Sequence, residues 1–211
     1  YTDLAIAVSR STAEFVIGAR LVRPERVRVV YLGAPVAEFS QQRSPEELAQ
    51  IRHELGIVPD EMAIGTITRL HDSKGNEYLV EATRLVLDRH PEARFFLAGE
   101  GPLRPALEAQ AERLGLAGRF VFVGFVKDVA ATLSAFDLSV FPSLWEGTPL
   151  TVFESLAMGK TIVATDADGL VDVLTHDRDA LIVPKRDAGA LAGGIVTLLD
   201  SPELRSRLSV H

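Results

Sequence analysis

Between residues 62 and 183 short apolar runs alternate with amphipathic segments. The runs at 62–70, 93–98, 120–123, 137–141, 161–165 and 180–183 are predominantly apolar rather than apolar at every second residue, as expected of strands covered on both faces. The segments at 45–55, 77–89, 103–114, 129–136, 188–199 and 203–208 read as helices, with a helical turn at 170–174. Strand and helix in alternation predict an α/β domain with a doubly wound, Rossmann-like parallel sheet over 41–211. Residues 1–40 break the rhythm. A capped helix from Ser11, a β-branched strand at 27–32 and a Gly33-Ala34-Pro35 break cannot bury their own faces. They read as the tail of another domain followed by a hinge.

One stretch, 141–159, carries more than pattern. A strand ends at Phe141, Pro142 to Gly147 is loop chemistry, and a helix follows. Thr148 is expected as its N-cap, Pro149 as its first residue and Gly159 as its stop. The third helical position is Thr151 rather than the Glu or Gln of a capping box, so the amides of Gly147, Leu150 and Thr151 are expected to be open to an anion. Glu146 and Glu154 bracket this start with seven residues between them. The bland alternative is a solvated helix start with surface glutamates.

Other polar groups fall at the carboxyl ends of predicted strands, where ligands bind in open α/β sheets. Arg69 and Lys74 follow the first strand of the domain, a planar fork and a point charge both suited to phosphate, or two solvated loop cations. Gly99-Glu100-Gly101-Pro102 follows the second, and with no third glycine it is not a dinucleotide fingerprint. Gly124-Phe125-Val126-Lys127 follows the third.

A net charge of -7 argues against a general nucleic-acid surface. The absence of cysteine excludes disulfides and thiolate metal sites, and suits a cytoplasmic setting. No apolar run reaches the roughly 20 residues of a membrane span, and no signal peptide is visible. Position 1 is Tyr rather than Met, from which a fragment or a processed product is expected. Asp166-Ala167-Asp168 could hold a divalent ion but sits in no supporting pattern; His71, close to Arg69 in sequence, reads as a solvated loop residue or one that touches substrate, and His53, His90, His176 and His211 show no ligand spacing.

The run Phe141-Pro142-Ser143, then Glu146-Gly147-Thr148-Pro149-Leu150, then Glu154-Ser155-Leu156-Ala157-Met158-Gly159 closely resembles the signature of family-four retaining glycosyltransferases of the GT-B fold. Thr68-Arg69-Leu70 with Lys74-Gly75, and Gly99-Glu100-Gly101-Pro102, resemble further motifs of that family, with Thr68 replacing its usual Gly. Gly33 and Phe39 match its interdomain segment, where Leu32 replaces the usual Asn. The resemblance implies the donor-binding half of an enzyme that moves a hexose from a nucleoside-diphosphate sugar to an acceptor hydroxyl, on a sugar or a lipid, with no metal or other cofactor required. Arg69 and Lys74 would hold the diphosphate. Gly101, Val126 and Lys127 would lie along the nucleoside, and Glu154 would accept from the ribose hydroxyls. Glu146 would face the donor sugar as the orienting catalytic group, with Gly147, Thr148, Pro149, Leu150 and Thr151 around sugar and diphosphate. Asp172 falls where the family carries a Glu. An N-terminal domain would supply the acceptor site, so the chain alone is expected to be inactive. The complete enzyme would be cytoplasmic, or peripheral at a membrane for a lipid acceptor. Three other readings stay open: a non-catalytic nucleotide-sugar module, another GT-B enzyme such as an epimerase or phosphorylase, and a Rossmann oxidoreductase.

Overall fold

The computed structural model describes residues 3–209, so Tyr1 and His211 lie outside the described residues. Six parallel strands form the main sheet: β3 (Met62–Ile67), β4 (Ala93–Ala98), β5 (Phe120–Gly124), β6 (Leu138–Phe141), β7 (Thr161–Thr165) and β8 (Leu181–Val183). Their spatial order is β5-β4-β3-β6-β7-β8. The chain thus winds outward from β3 in one direction, returns, and winds outward from β6 in the other. That is the expected doubly wound sheet, with its switch point between β3 and β6. There the ladder is brief. β3 and β4 are in register from Met62↔Ala93 to Ile67↔Ala98, whereas β3 and β6 pair only at Ile64↔Leu138 and Gly65↔Ser139. Beyond Gly65 and Ser139 the two strands are no longer paired at their carboxyl ends.

Successive strand residues feed opposite layers, as a pleat requires. Ile64, Phe95, Leu97, Val140 and Val163 pack with α4 (Asn76–Leu87), α5 (Arg104–Arg113) and α9 (Ala188–Asp200). Ala63 and Phe96 point the other way, to Leu133 and Phe136 beside α3 (Pro45–Glu54) and α6 (Val129–Ser134). Ile162 and Ala164 meet Val152 of α7 (Leu150–Ala157) and Leu170 of α8 (Asp168–Val171). Several helices begin where capping chemistry is written. Ser44 and Glu47 form a reciprocal capping box with Pro45 at the first position of α3. Asp128 caps α6, Asp187 caps α9, and Ser201 caps α10 (Pro202–Leu208).

Residues 3–30 form a small unit of their own. β1 (Ala5–Ala7) and β2 (Val27–Val29) make a two-stranded parallel sheet, joined through α1 (Arg10–Gly18). Its core is only Ala7, Ala13 and Val27, while Leu4, Ile6, Phe15 and Leu21 are more than half exposed. β1 and the short α2 (Val36–Phe39) were not expected from sequence: three residues of β1 and one turn after Pro35 are too short to show a period.

One local expectation is corrected. Thr148 does not cap α7. Pro149 occupies the cap position and no side chain closes the helix, because the Thr148 hydroxyl donates instead to the Val8 carbonyl at 2.6 Å. Pro149 accordingly precedes the first helical residue rather than being it.

Candidate functional site

The unpaired carboxyl ends of β3 and β6 open into a cleft of about 430 Å³. Its walls come from four loops. Arg69 and Lys74 stand after β3, Gly99 and Glu100 after β4, Phe125 and Val126 after β5, and Glu146 with Thr148, Pro149, Leu150 and Thr151 after β6. Each loop leaves the same edge of the sheet, so residues scattered over eighty positions converge by topology alone.

Lys74 and Glu146 meet at the centre. Lys74 Nζ donates to Glu146 Oε1 at 2.6 Å, and the Ser143 hydroxyl donates to the same oxygen at 2.6 Å. Both charged side chains are largely withdrawn from water, at 15% and 9% exposed. Glu146 sits in the loop after β6, where it is a buried carboxylate fixed from two sides. The backbone carries this arrangement. Leu144 N and Trp145 N both donate to Ser73 O, at 2.8 and 3.2 Å, which ties the loop after β6 to the turn that presents Lys74. Thr165 of β7 donates to Ser143 O and anchors the same loop from the sheet.

Arg69 is exposed in the cleft wall, and its carbonyl accepts from Asn76 Nδ2 at 3.3 Å. The cationic pair and the uncapped start of α7 face one recess. Lys74 spends one of its three donor directions on Glu146. A guanidinium, an ammonium and a helix N-terminus in one recess form a site for a multiply charged anion, phosphate above all.

Glu154 and Lys127 do not line that recess. They lie in an adjoining depression with Pro35, Glu38, Gln41 and Arg43 of the connecting segment, and Val129 lines both spaces. Burial pushes the Glu154 carboxyl up from its ordinary range, and the like charge of Glu38 adds to it. Gly147 lies within the loop between the lining residues Glu146 and Thr148. Gly101 lies behind the wall. A Cβ there would stand 2.3 Å from Leu70 O, so its role in the structure is close backbone approach between the loops after β3 and β4.

Asp166 accepts from Lys185 N at 2.8 Å and Asp168 lies 3.6 Å from Lys185 Nζ, so each has a structural partner. His71 is exposed, His90 lies 3.0 Å from Asp200, and His176 Nδ1 accepts from Ile182 N. Sequence reading missed Ser143 as the second donor to Glu146. It also missed Glu38, whose only signal was its place within the Gly33…Phe39 segment.

Residues 61–201 match the family described as glycosyl transferases group 1. The chain belongs to that family. This glycosyltransferase chain is 32% identical over 196 residues to an uncharacterized glycosyltransferase of Methanocaldococcus jannaschii, covering 92% of the chain and 50% of that protein. It is 30% identical to the alpha-D-kanosaminyltransferase of Streptomyces kanamyceticus, over 88% of the chain and 48% of that enzyme. Among solved structures, HepE of Anabaena in complex with UDP and glucose superposes with a TM-score of 0.90 at 25% identity, covering 99% of this chain and 56% of that one. The chain therefore spans about half the length of the relatives it matches. It is the C-terminal, donor-side type of GT-B domain, a glycosyltransferase domain with a Rossmann-like sheet. Among the described residues no helix is long and apolar enough to cross a membrane.

Proposed function

We propose that this domain binds a nucleoside-diphosphate hexose and that the complete enzyme transfers the hexose to an acceptor hydroxyl with retention of configuration. The observation that carries the reading is the Lys74–Glu146 pair at the floor of a recess that also holds Arg69 and the open start of α7. The diphosphate lies against Arg69, Lys74 and the amides of Leu150 and Thr151. The nucleoside runs past Val126 toward Lys127 and Glu154, whose carboxylate accepts from the ribose diol. Gly101 holds the inner wall. Glu146, with one oxygen committed to Lys74 and Ser143, keeps a fixed second oxygen for the sugar, with Gly147, Thr148 and Pro149 around it.

In the reaction the bond from the anomeric carbon to the diphosphate oxygen breaks while the acceptor oxygen bonds to that carbon on the same face. The acceptor proton passes to the departing phosphate. Charge grows on the leaving oxygens, and Arg69, Lys74 and the helix amides are already aimed there. No metal is assigned to this step. Residues 1–40 are read as the tail of a preceding domain and the hinge, and 41–211 as the donor domain. The separate small core of β1, α1 and β2 supports that division. The preceding domain supplies the acceptor site, for a sugar or a lipid, in a cytoplasmic enzyme that is peripheral at a membrane when the acceptor is a lipid.

Calorimetric titration of the chain with UDP, GDP and ADP and their hexose conjugates tests the reading. Binding of one nucleotide, weakened by Glu154→Ala and by Arg69→Ala, is expected, with UDP the first probe because HepE was solved with it. Binding of none, or binding that both variants leave intact, overturns it. Transfer by the 211-residue chain alone would overturn the assignment of the acceptor site to a second domain.

A further inference from the structure

The loop that carries Glu146 is touched from two sides by parts of the chain outside its own sheet position. On one side is the N-terminal unit. The Thr148 hydroxyl donates to Val8 O at 2.6 Å, and a Cβ on Gly147 would stand 3.3 Å from Val8 Cγ2. On the other side is α8. A Cβ on Gly169 would stand 2.5 Å from Glu146 O and 2.6 Å from Gly147 O, so helix and loop are in backbone contact. The two sides are then joined to each other. Asp172, the residue that ends α8, accepts from Ser11 N at 3.0 Å and from Ser11 Oγ at 2.9 Å.

Ser11 is the second residue of α1, so its amide is one that the helix itself leaves unpaired. A carboxylate at that end also meets the positive pole of the helix. Asp172 thus completes the α1 cap that Ser9 begins by accepting from Thr12 N. The chain path closes a ring: Thr148 to Val8, Val8 through Ser9 into α1, Ser11 to Asp172, and α8 back to the Glu146–Gly147 backbone.

We infer that Asp172 and the Thr148 hydroxyl are positioning groups for the Glu146–Thr148 loop, clamping the N-terminal unit onto it so that the seating of that unit sets where the sugar end of the cleft lies. The clamp itself is independent of the ligand; only its consequence for sugar binding rests on the donor-site reading above. The nucleoside end, around Val126 and Glu154, is outside the ring. The clamp therefore acts on the sugar portion of a donor and not on the nucleotide portion.

Two measurements on the 211-residue chain decide it. The first is amide hydrogen exchange of wild type, Asp172→Ala, Thr148→Val, the double variant, Asp172→Asn and a control, Asp88→Ala, which breaks an exposed ion pair on α4. Loss of one such bond should speed exchange about tenfold in peptides covering 8–12 and 146–151, with the double variant no faster than the faster single variant, because either loss opens the same ring. Asp172→Asn, which keeps an acceptor oxygen, should stay near wild type, and Asp88→Ala should leave both peptides unchanged. Unchanged exchange at 146–151 in Asp172→Ala, or faster exchange spread evenly over the main sheet, overturns the clamp. The second measurement is calorimetry with UDP and UDP-glucose. Asp172→Ala should weaken UDP-glucose about tenfold while UDP changes less than about twofold; equal loss for both overturns the confinement to the sugar end. If wild type binds neither, the donor-site reading fails and the exchange data alone decide the clamp.

Discussion

Lys74 Nζ lies 2.6 Å from Glu146 Oε1, joining residues 72 positions apart across the mouth between β3 and β6. A cation and an anion withdrawn together are each costly without the other. Lys74→Ala should lower folding stability by about 3 kcal/mol, because it leaves the Glu146 charge buried. Glu146→Gln should cost less, since its amide oxygen still accepts from Ser143. Urea unfolding of both variants at neutral pH checks the order; a larger loss for Glu146→Gln would reject it.

Glu154 gives a stability that depends on pH in a defined sense. Burial, and then Glu38, raise its folded-state value above that of the unfolded chain. The folded protein therefore holds the proton more tightly, and stability falls as pH rises from the ordinary glutamate range through the folded value. Glu154→Gln removes the cost. The variant should be more stable than wild type at neutrality, with the gap closing on acidification to below the ordinary range. Parallel melts across that interval are the measurement. Glu38→Gln should shift the curve in the same direction by less.

Lys160 runs the other way. Burial draws its folded value down to about 8, with Arg52 assisting and Asp137 opposing. Below that value folded and unfolded chains are both protonated and the burial cost is present in full. Between about 8 and the ordinary lysine value of 10.5 the folded protein sheds its proton first, so stability rises with pH. Wild type should gain on Lys160→Met across that window. Lys160 also donates to Ser134 O and Phe136 O at 2.8 and 2.7 Å, so Lys160→Met should be the less stable protein throughout. A constant difference with pH would refute the shift.

Gly101→Ala should destabilise by about 2–3 kcal/mol, the cost of moving two loops apart. Its Cβ would otherwise sit 2.3 Å from Leu70 O. Because Arg69 adjoins that carbonyl, the same variant should weaken nucleotide binding, which thermal melts and calorimetry read separately.

The sheet was legible because its strands are buried on both faces. Ala93–Ala98 and Thr161–Thr165 come out at their predicted bounds, since a predominantly apolar run needs no partner to be recognised. The convergence of Arg69, Lys74 and Glu146 was legible as well, once each was placed after a strand of one parallel sheet. What could not be read was pairing over distance. The Thr148 hydroxyl has the chemistry of a cap, but its acceptor lies 140 positions away at Val8. Glu146 looks like a loop glutamate until the Ser143 hydroxyl and Lys74 are seen to converge on one of its oxygens. Asp172 is an unremarkable acid except for its two bonds to Ser11. Local propensity names the elements; only the packed chain names these partners.

The two-pair ladder between β3 and β6 has a consequence for how such a domain diversifies. The recess exists because two strands part company, and not because large side chains were removed from a core. Its outline is thus inherited from the backbone, whereas its chemistry is carried by the turns that leave the strand ends. Those turns can be exchanged, lengthened or rewritten without breaking a rung of the sheet. A designer wishing to change the ligand would graft the segments around Arg69, Phe125 and Trp145 and leave the strands alone, and descent with modification has the same freedom.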